Sequence, residues 1–150
     1  NNLYCSFVIL VIFFLDRYTK TIILNNFTEK TYYLNDYINL DLIWNIGIGF
    51  GFLSTETVII YNAISILIGL VILLLLYLTI VSEFLDKLIY SIIVGGAIGN
   101  FFDRIVYNAV PDFIDLHYKE FHWFVFNIAD IFISIGITIL ILSGIFKKNI

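Results

Sequence analysis

Between residues 95 and 130 an otherwise apolar chain carries Asn100, Asp103, Arg104, Asp112, Asp115, Asn127 and Asp130. Ionisable groups beside membrane-grade apolar sequence cost roughly 2.5–3.5 kcal/mol each at the centre of a span, so a chemical role is the first hypothesis for them. Two carboxylates held close together cannot both ionise, and they share one proton. The ionised member takes a proton from water as general base. The protonated member polarises a scissile carbonyl and later protonates the leaving amine. Such a pair hydrolyses an amide without a cofactor, and neighbouring Asn or Arg groups steady the developing oxyanion. Asp130 is one candidate for the pair. By spacing, Asp112 and Asp115 are equal candidates for its partner.

Each residue also has a plainer reading. Asn127 and Asp130 are three apart at a helix start, which is the spacing of a capping box. Asp112 follows Pro111, the position of a turn residue. Asp115, His117, Glu120 and His122 offer metal-ligand atoms, but the two histidines do not share a helical face, and no metal is expected. The single cysteine, Cys5, allows neither an internal disulfide nor a metal site of its own, and it reads as a lipid-facing or packing residue. The run Asn45–Leu53 has three alternating glycines but no Gly-Lys-Ser/Thr after it, so it is not a phosphate loop. No nucleophile elbow marks a serine triad. A net charge of −4 argues against a nucleic-acid surface. The chemistry calls for no cofactor.

The elements that must position these groups are membrane-like. The 150 residues are 61% hydrophobic and 13% charged, far from the soluble average, and the length suits one domain. Asn1–Leu15 lacks a basic lead and a small-residue cleavage site, so it does not read as a removable leader. Four spans are expected, at about 3–24, 58–81, 88–106 and 128–146, with Ser82–Lys87 as a polar turn. In the first, Asp16 and Lys20 are four apart on one face, acid before base, either as an interfacial anchor or as a brace for a polar site. In the third, Gly95, Gly96 and Gly99 form a small-residue packing face, and Asn100 faces the same way as Asp103 and Arg104. Residues 31–53 are aromatic and β-branched around an Asn35-Asp36 turn signal, which predicts a small extramembrane β-element. Residues 107–127 read as a loop. The expected fold is therefore a membrane all-α, four-helix bundle with that β-element.

Four spans put both termini on one side, and Lys147-Lys148 mark that side as cytoplasmic. Every polar motif then gathers at the outer leaflet. Two rivals are a small proton-relaying transporter and a structural subunit whose polar residues only join helices. A transporter would want an acid near the midplane and an internal repeat, and neither is present in the sequence.

Five motifs in order resemble the signal peptidase II family, the bacterial lipoprotein signal peptidases. They are Asp16…Thr19-Lys20, Asn45-Ile46-Gly47-Ile48-Gly49-Phe50, Gly95 to Arg104, Val110–Phe113 and Phe126–Asp130, covering nearly the whole chain. The resemblance implies that Asp112 and Asp130 are the catalytic pair. It implies that Asn45, Gly47, Asn100, Arg104 and Asn127 shape the substrate site, with Asp16, Lys20 and Asp103 in support. It implies a prolipoprotein substrate whose cysteine already carries diacylglycerol, cut just before that cysteine at the outer leaflet of the bacterial cytoplasmic membrane. Membrane lipid and globomycin-type cyclic peptide inhibitors are the further ligands it implies. Two positions depart from the family pattern: Ile48-Gly49 stand where it has Ala-Ala, and Pro111 where it has Val.

Overall fold

In the computed structural model, residues 1–27, 30–47 and 58–147 are described. Four helices, α1 (Asn2–Asn26), α2 (Val58–Val81), α3 (Phe84–Tyr107) and α4 (Ile128–Lys147), accompany four strands, β1 (Tyr32–Asn35), β2 (Ile38–Asn45), β3 (Val110–Tyr118) and β4 (Phe121–Phe126). The structure is thus mostly helical with one small antiparallel sheet. Positions 48–53 of the expected β-element, with the Ile48-Gly49 departure, lie outside the described residues.

Helix α3 is the centre of the bundle and packs against α1, α2 and α4. Its glycines make this possible. A Cβ on Gly95 would stand 2.8 Å from Cβ of Ile12, and one on Gly96 would stand 2.6 Å from the carbonyl oxygen of Ala129. At Gly99 it would meet Oδ2 of Asp16 at 2.5 Å. Three successive small residues therefore bring α1 and α4 to backbone distance of α3. Helix α3 starts at Phe84, four residues before the expected span, so the polar turn shrinks to Ser82-Glu83. Lys87 lies inside α3 and donates from Nζ to the carbonyl oxygen of Ile80 at 2.6 Å, satisfying a free carbonyl at the end of α2.

The outward faces of α1 and α2 are apolar, and the charged side chains at one end of the bundle are buried. Leu3, Phe7, Leu10, Phe14 and Tyr18 are exposed on α1, spaced at helical intervals, while Asp16 and Lys20 on the same helix are fully buried. On α2, Ile59, Ile66, Leu70, Leu73 and Leu74 are likewise exposed. Large apolar side chains facing outward around a charged interior suit lipid and not water. Ile59–Val81 and Phe84–Tyr107 are long and apolar enough to cross a bilayer, and this is a membrane protein by these features. Cys5 is buried, so of its two expected roles the packing one applies.

The loop expected at 107–127 is instead a β-hairpin. Its strands join the predicted hairpin to give one sheet in the order β1-β2-β3-β4. Asn35 Oδ1 accepts from the backbone N–H groups of Tyr37 and Ile38, at 2.9 and 3.0 Å, and closes the first turn as the Asn-Asp signal predicts. Pro111 and the acids of β3 hide its strand character. Pro111 is tolerated because β4 pairs with β3 only from Ile114 onward, so at Pro111 the strand has a neighbour on one side alone.

Gly96→Ala is expected to destabilise the protein by about 1–3 kcal/mol, because its methyl group meets backbone that cannot move aside cheaply. Gly144→Ala, where a Cβ meets nothing within 4 Å, is expected to be neutral or slightly stabilising. Thermal unfolding of the two variants in detergent micelles compares them.

Candidate active site

The polar end of the bundle is built on Lys20. Its ammonium is fully buried and donates to Oδ2 of Asp16 at 2.9 Å, Oδ1 of Asn100 at 2.8 Å and Oδ2 of Asp103 at 2.7 Å. Of the two readings of the Asp16–Lys20 pair, the fully buried ammonium fits the brace and not the interfacial anchor. Arg17, which the sequence reading passed over, pairs with Asp103 Oδ1 at 2.6 Å and lies 4.9 Å above the Phe102 ring. Its signal was present in the sequence, since a second cation beside Asp16 needs an acid of its own in a buried setting. Two cations and two carboxylates close a neutral cluster, the condition under which charge survives burial.

From this brace the order passes to Asp130. An ammonium only donates, so it must face the oxygen of the Asn100 amide. The amide nitrogen is thereby turned to Asp130 Oδ1, to which it donates at 2.8 Å. The other Asp130 oxygen accepts the backbone N–H of Asn127 at 3.1 Å, and Asn127 Oδ1 accepts that of Asp130 at 3.1 Å. The capping box read from the sequence is therefore present. Asp16 adds to it from another helix, accepting the Ala129 N–H on Oδ1 at 3.1 Å. The start of α4 thus has its free donors satisfied by two carboxylates and an amide.

Asn127 has a second task. Its Nδ2 donates to Oδ1 of Asp112 at 2.6 Å, while Nδ2 of Asn45 donates to Oδ2 of the same carboxylate at 2.9 Å. Asn45 lies at the end of β2 and Asp112 near the start of β3, on antiparallel partners. Oδ1 of Asn45 accepts the Gly47 N–H at 2.8 Å, and the Gly47 carbonyl accepts from Nη2 of Arg104. Asp112 and Asp130 are both buried and are joined through the one residue Asn127. Burial pushes the Asp112 carboxyl up to about 7, helped by the nearby Asp130 carboxylate and opposed by the Asn45 and Asn127 hydrogen bonds and the Lys20 charge. An apolar groove of about 330 Å³ opens beside Asp130, lined by Leu116, Phe124, Phe126, Ile131 and Ile135.

All the expected site residues except one thus fall into a single connected network: Asp16, Lys20, Asn100, Asp103, Asp112, Asn127 and Asp130, extended through Asn45 and Gly47 to Arg104. The exception is Asp115, the alternative partner read from spacing. It is buried further along β3, where it meets Asn39 and His122 and makes no contact with Asp130 among the described residues.

The chain is similar to known proteins along most of its length. The family model described as Signal peptidase (SPase) II matches residues 8–146. The lipoprotein signal peptidase of Pelagibacter ubique (strain HTCC1062) is 50% identical over 153 residues, covering 99% of this chain and 92% of that one. The lipoprotein signal peptidase of Francisella tularensis subsp. novicida (strain U112) is 34% identical over 140 residues, covering 89% and 86% respectively. A bacterial membrane enzyme solved by the in meso method at 2.3 Å resolution superposes with a TM-score of 0.81 at 26% identity, covering 97% of this chain and 89% of that one.

Two outcomes follow from the network. Lys20→Met, which leaves Asp16 and Asp103 buried without their shared cation, is expected to cost about 3–5 kcal/mol of stability, measured by thermal or denaturant unfolding in detergent. Asp112 gives a pH dependence. Its folded value lies above the unfolded value of about 3.9, so the folded state holds the extra proton between the two and wild-type stability falls as pH rises from about 4 to about 7. Relative to wild type, Asp112→Asn is therefore expected to gain stability across that window and to hold a constant difference above it.

Proposed function

The chain belongs to the signal peptidase II family, and from that premise we propose that it is an aspartic endopeptidase that removes signal peptides from prolipoproteins, with Asp112 and Asp130 as its catalytic pair. The observation that carries the assignment is Asn127. One residue holds both carboxylates, its side chain on Asp112 and its backbone on Asp130. A carboxyl pushed up to about 7 keeps a proton within reach at neutral pH, which the shared-proton mechanism requires.

In this reading a water is the nucleophile. The ionised member of the pair removes its proton as it attacks the scissile carbonyl, while the protonated member donates to the carbonyl oxygen. As the C–N bond breaks, the proton taken from water passes to the leaving amine, the hydroxyl of the tetrahedral intermediate gives its proton back to the member that first donated it as the carbonyl reforms, and the pair returns to its starting charge. Asn45 and Asn127 hold Asp112 in one rotamer, and Asn100 holds Asp130. Arg104 has Nε and Nη1 buried and without a hydrogen-bond partner among the described residues, so these donors can meet the developing oxyanion or the substrate backbone. Asp16, Lys20 and Asp103 support the site from behind.

The finer parts of the reading extend from here. The whole chain is one membrane protease domain. All four helices cross the bilayer, with the polar end at the outer leaflet of the bacterial cytoplasmic membrane and both termini in the cytoplasm. The outward apolar faces of α1 and α2 support this. The substrate is a prolipoprotein whose cysteine carries diacylglycerol, and cleavage falls just before that cysteine. The groove beside Asp130 suits an apolar segment of such a substrate, and globomycin-type cyclic peptides compete for the same place.

Asp112→Asn and Asp130→Asn are each expected to lower cleavage of a diacylglyceryl prolipoprotein by at least about a hundredfold, followed by gel mobility with purified enzyme. Unchanged helical circular dichroism shows that the variants still fold. Cleavage retained at the wild-type rate by either variant overturns the pair.

A further inference from the structure

The β3–β4 hairpin carries a second group of ligating side chains, apart from the Asp112–Asp130 network. Asp115 and His117 are two apart on β3, and His122 is the register partner of His117 on β4. The spacing of the histidines, unsuited to a helix face, is that of two residues facing each other across a tight hairpin. Lys119, with φ at 55°, makes the turn. The two imidazoles stack with centroids 5.2 Å apart, and one ligating atom from each of the three residues lies within 4.8 Å of the others.

We propose that Asp115, His117 and His122 bind a divalent transition-metal ion of the zinc class. Nδ1 of His122 lies 2.8 Å from Oδ2 of Asp115, and Nδ1 of His117 lies 3.8 Å from the same oxygen. A tetrahedral ion with bonds of about 2.0–2.2 Å places its ligands about 3.4 Å apart. That geometry needs the first pair opened and the second closed by about half an ångström each, and the two imidazole nitrogens drawn together from a separation of up to 4.8 Å. His117 points to a ligand independently: it is 7% exposed, and its Nδ1 is buried with no hydrogen-bond partner among the described residues. An ion takes that lone pair and replaces the proton shared by His122 and Asp115. Two imidazoles and one carboxylate favour zinc or its neighbours over calcium or magnesium, which take oxygen ligands. Nδ2 of Asn39 reaches Oδ2 of Asp115 at 3.4 Å and orients the carboxylate from β2. The half-exposed His122 leaves an entry path and room for a water as fourth ligand. Such an ion clips β4 to β3 three residues beyond Asp112 and so stiffens the strand that carries it.

The test uses the full chain in detergent micelles with Zn²⁺ alone, and with Co²⁺ as a spectroscopic stand-in. Wild type is expected to bind one Zn²⁺ per chain in titration calorimetry, to show tetrahedral Co²⁺ bands in the visible, and to gain thermal stability that EDTA reverses. His122→Ala and Asp115→Asn are each expected to weaken binding at least tenfold. Because His122→Ala also takes a hydrogen bond from the buried Asp115 carboxylate, each variant is compared with its own metal-free melting temperature, and the Zn²⁺-induced rise is expected to be lost. Absence of saturable binding to wild type, or binding of equal affinity in both variants, overturns the proposal.

Discussion

The buried ammonium of Lys20 is the interaction on which the rest of the polar end depends. Deep in an apolar bundle it contacts oxygens from α1 and α3, and each contact fixes something. Asp16 is held where its other oxygen can cap α4. Asp103 is shared with Arg17, which closes the charge balance. Asn100 is turned so that its amide nitrogen, and not its oxygen, faces Asp130. That last effect is chemical and not merely steric. An ammonium has no acceptor, so the amide has one acceptable orientation beside it.

Asn127 plays the corresponding part between the two carboxylates. One side chain both caps a helix and holds a carboxylate from another element. Its oxygen takes an N–H of the first turn of α4, and its nitrogen takes Asp112. The same first turn carries Asp130, so the geometry of the cap becomes the geometry of the pair. A rigid helix start fixes a carboxylate better than a free loop, because helix hydrogen bonds restrain the backbone beneath it. The sheet supplies the other half. Antiparallel pairing of β2 with β3 brings Asn45 onto Asp112 and leads on through Gly47 to Arg104 on α3.

Much of this was legible in the chain. The Gly95, Gly96 and Gly99 stripe announced a close helix contact, and the structure has one. The Asp16–Lys20 spacing announced a pair, and the Asn127–Asp130 spacing announced a cap. The hairpin at 107–127 was not legible. Its proline and acids look like turn residues until β2 is alongside, when Pro111 falls where only one side of the strand is paired. With the hairpin unseen, the histidines could only be judged by helical periodicity, and their meeting across the turn was missed. The shorter ion pair of Arg17, to Asp103, is with another helix, and local spacing does not show it.

By itself the sequence determined the composition of the solvent this protein needs, the helices, the small-residue face and the identity of the polar groups. These depend on local spacing and on the cost of placing charge in hydrocarbon, both of which are written along one stretch of chain. Spacing leaves Asp112 and Asp115 equal and the family resemblance points to Asp112, but the tertiary structure supplies the physical reason why Asp112 is the acid joined to Asp130 through Asn127. Asp112 and Asp115 are indistinguishable by distance along the chain, but strand register puts Asp112 beside Asn45 and Asn127, and Asp115 beside Asn39 and His122. Register is a property of two strands together, and no single segment carries it.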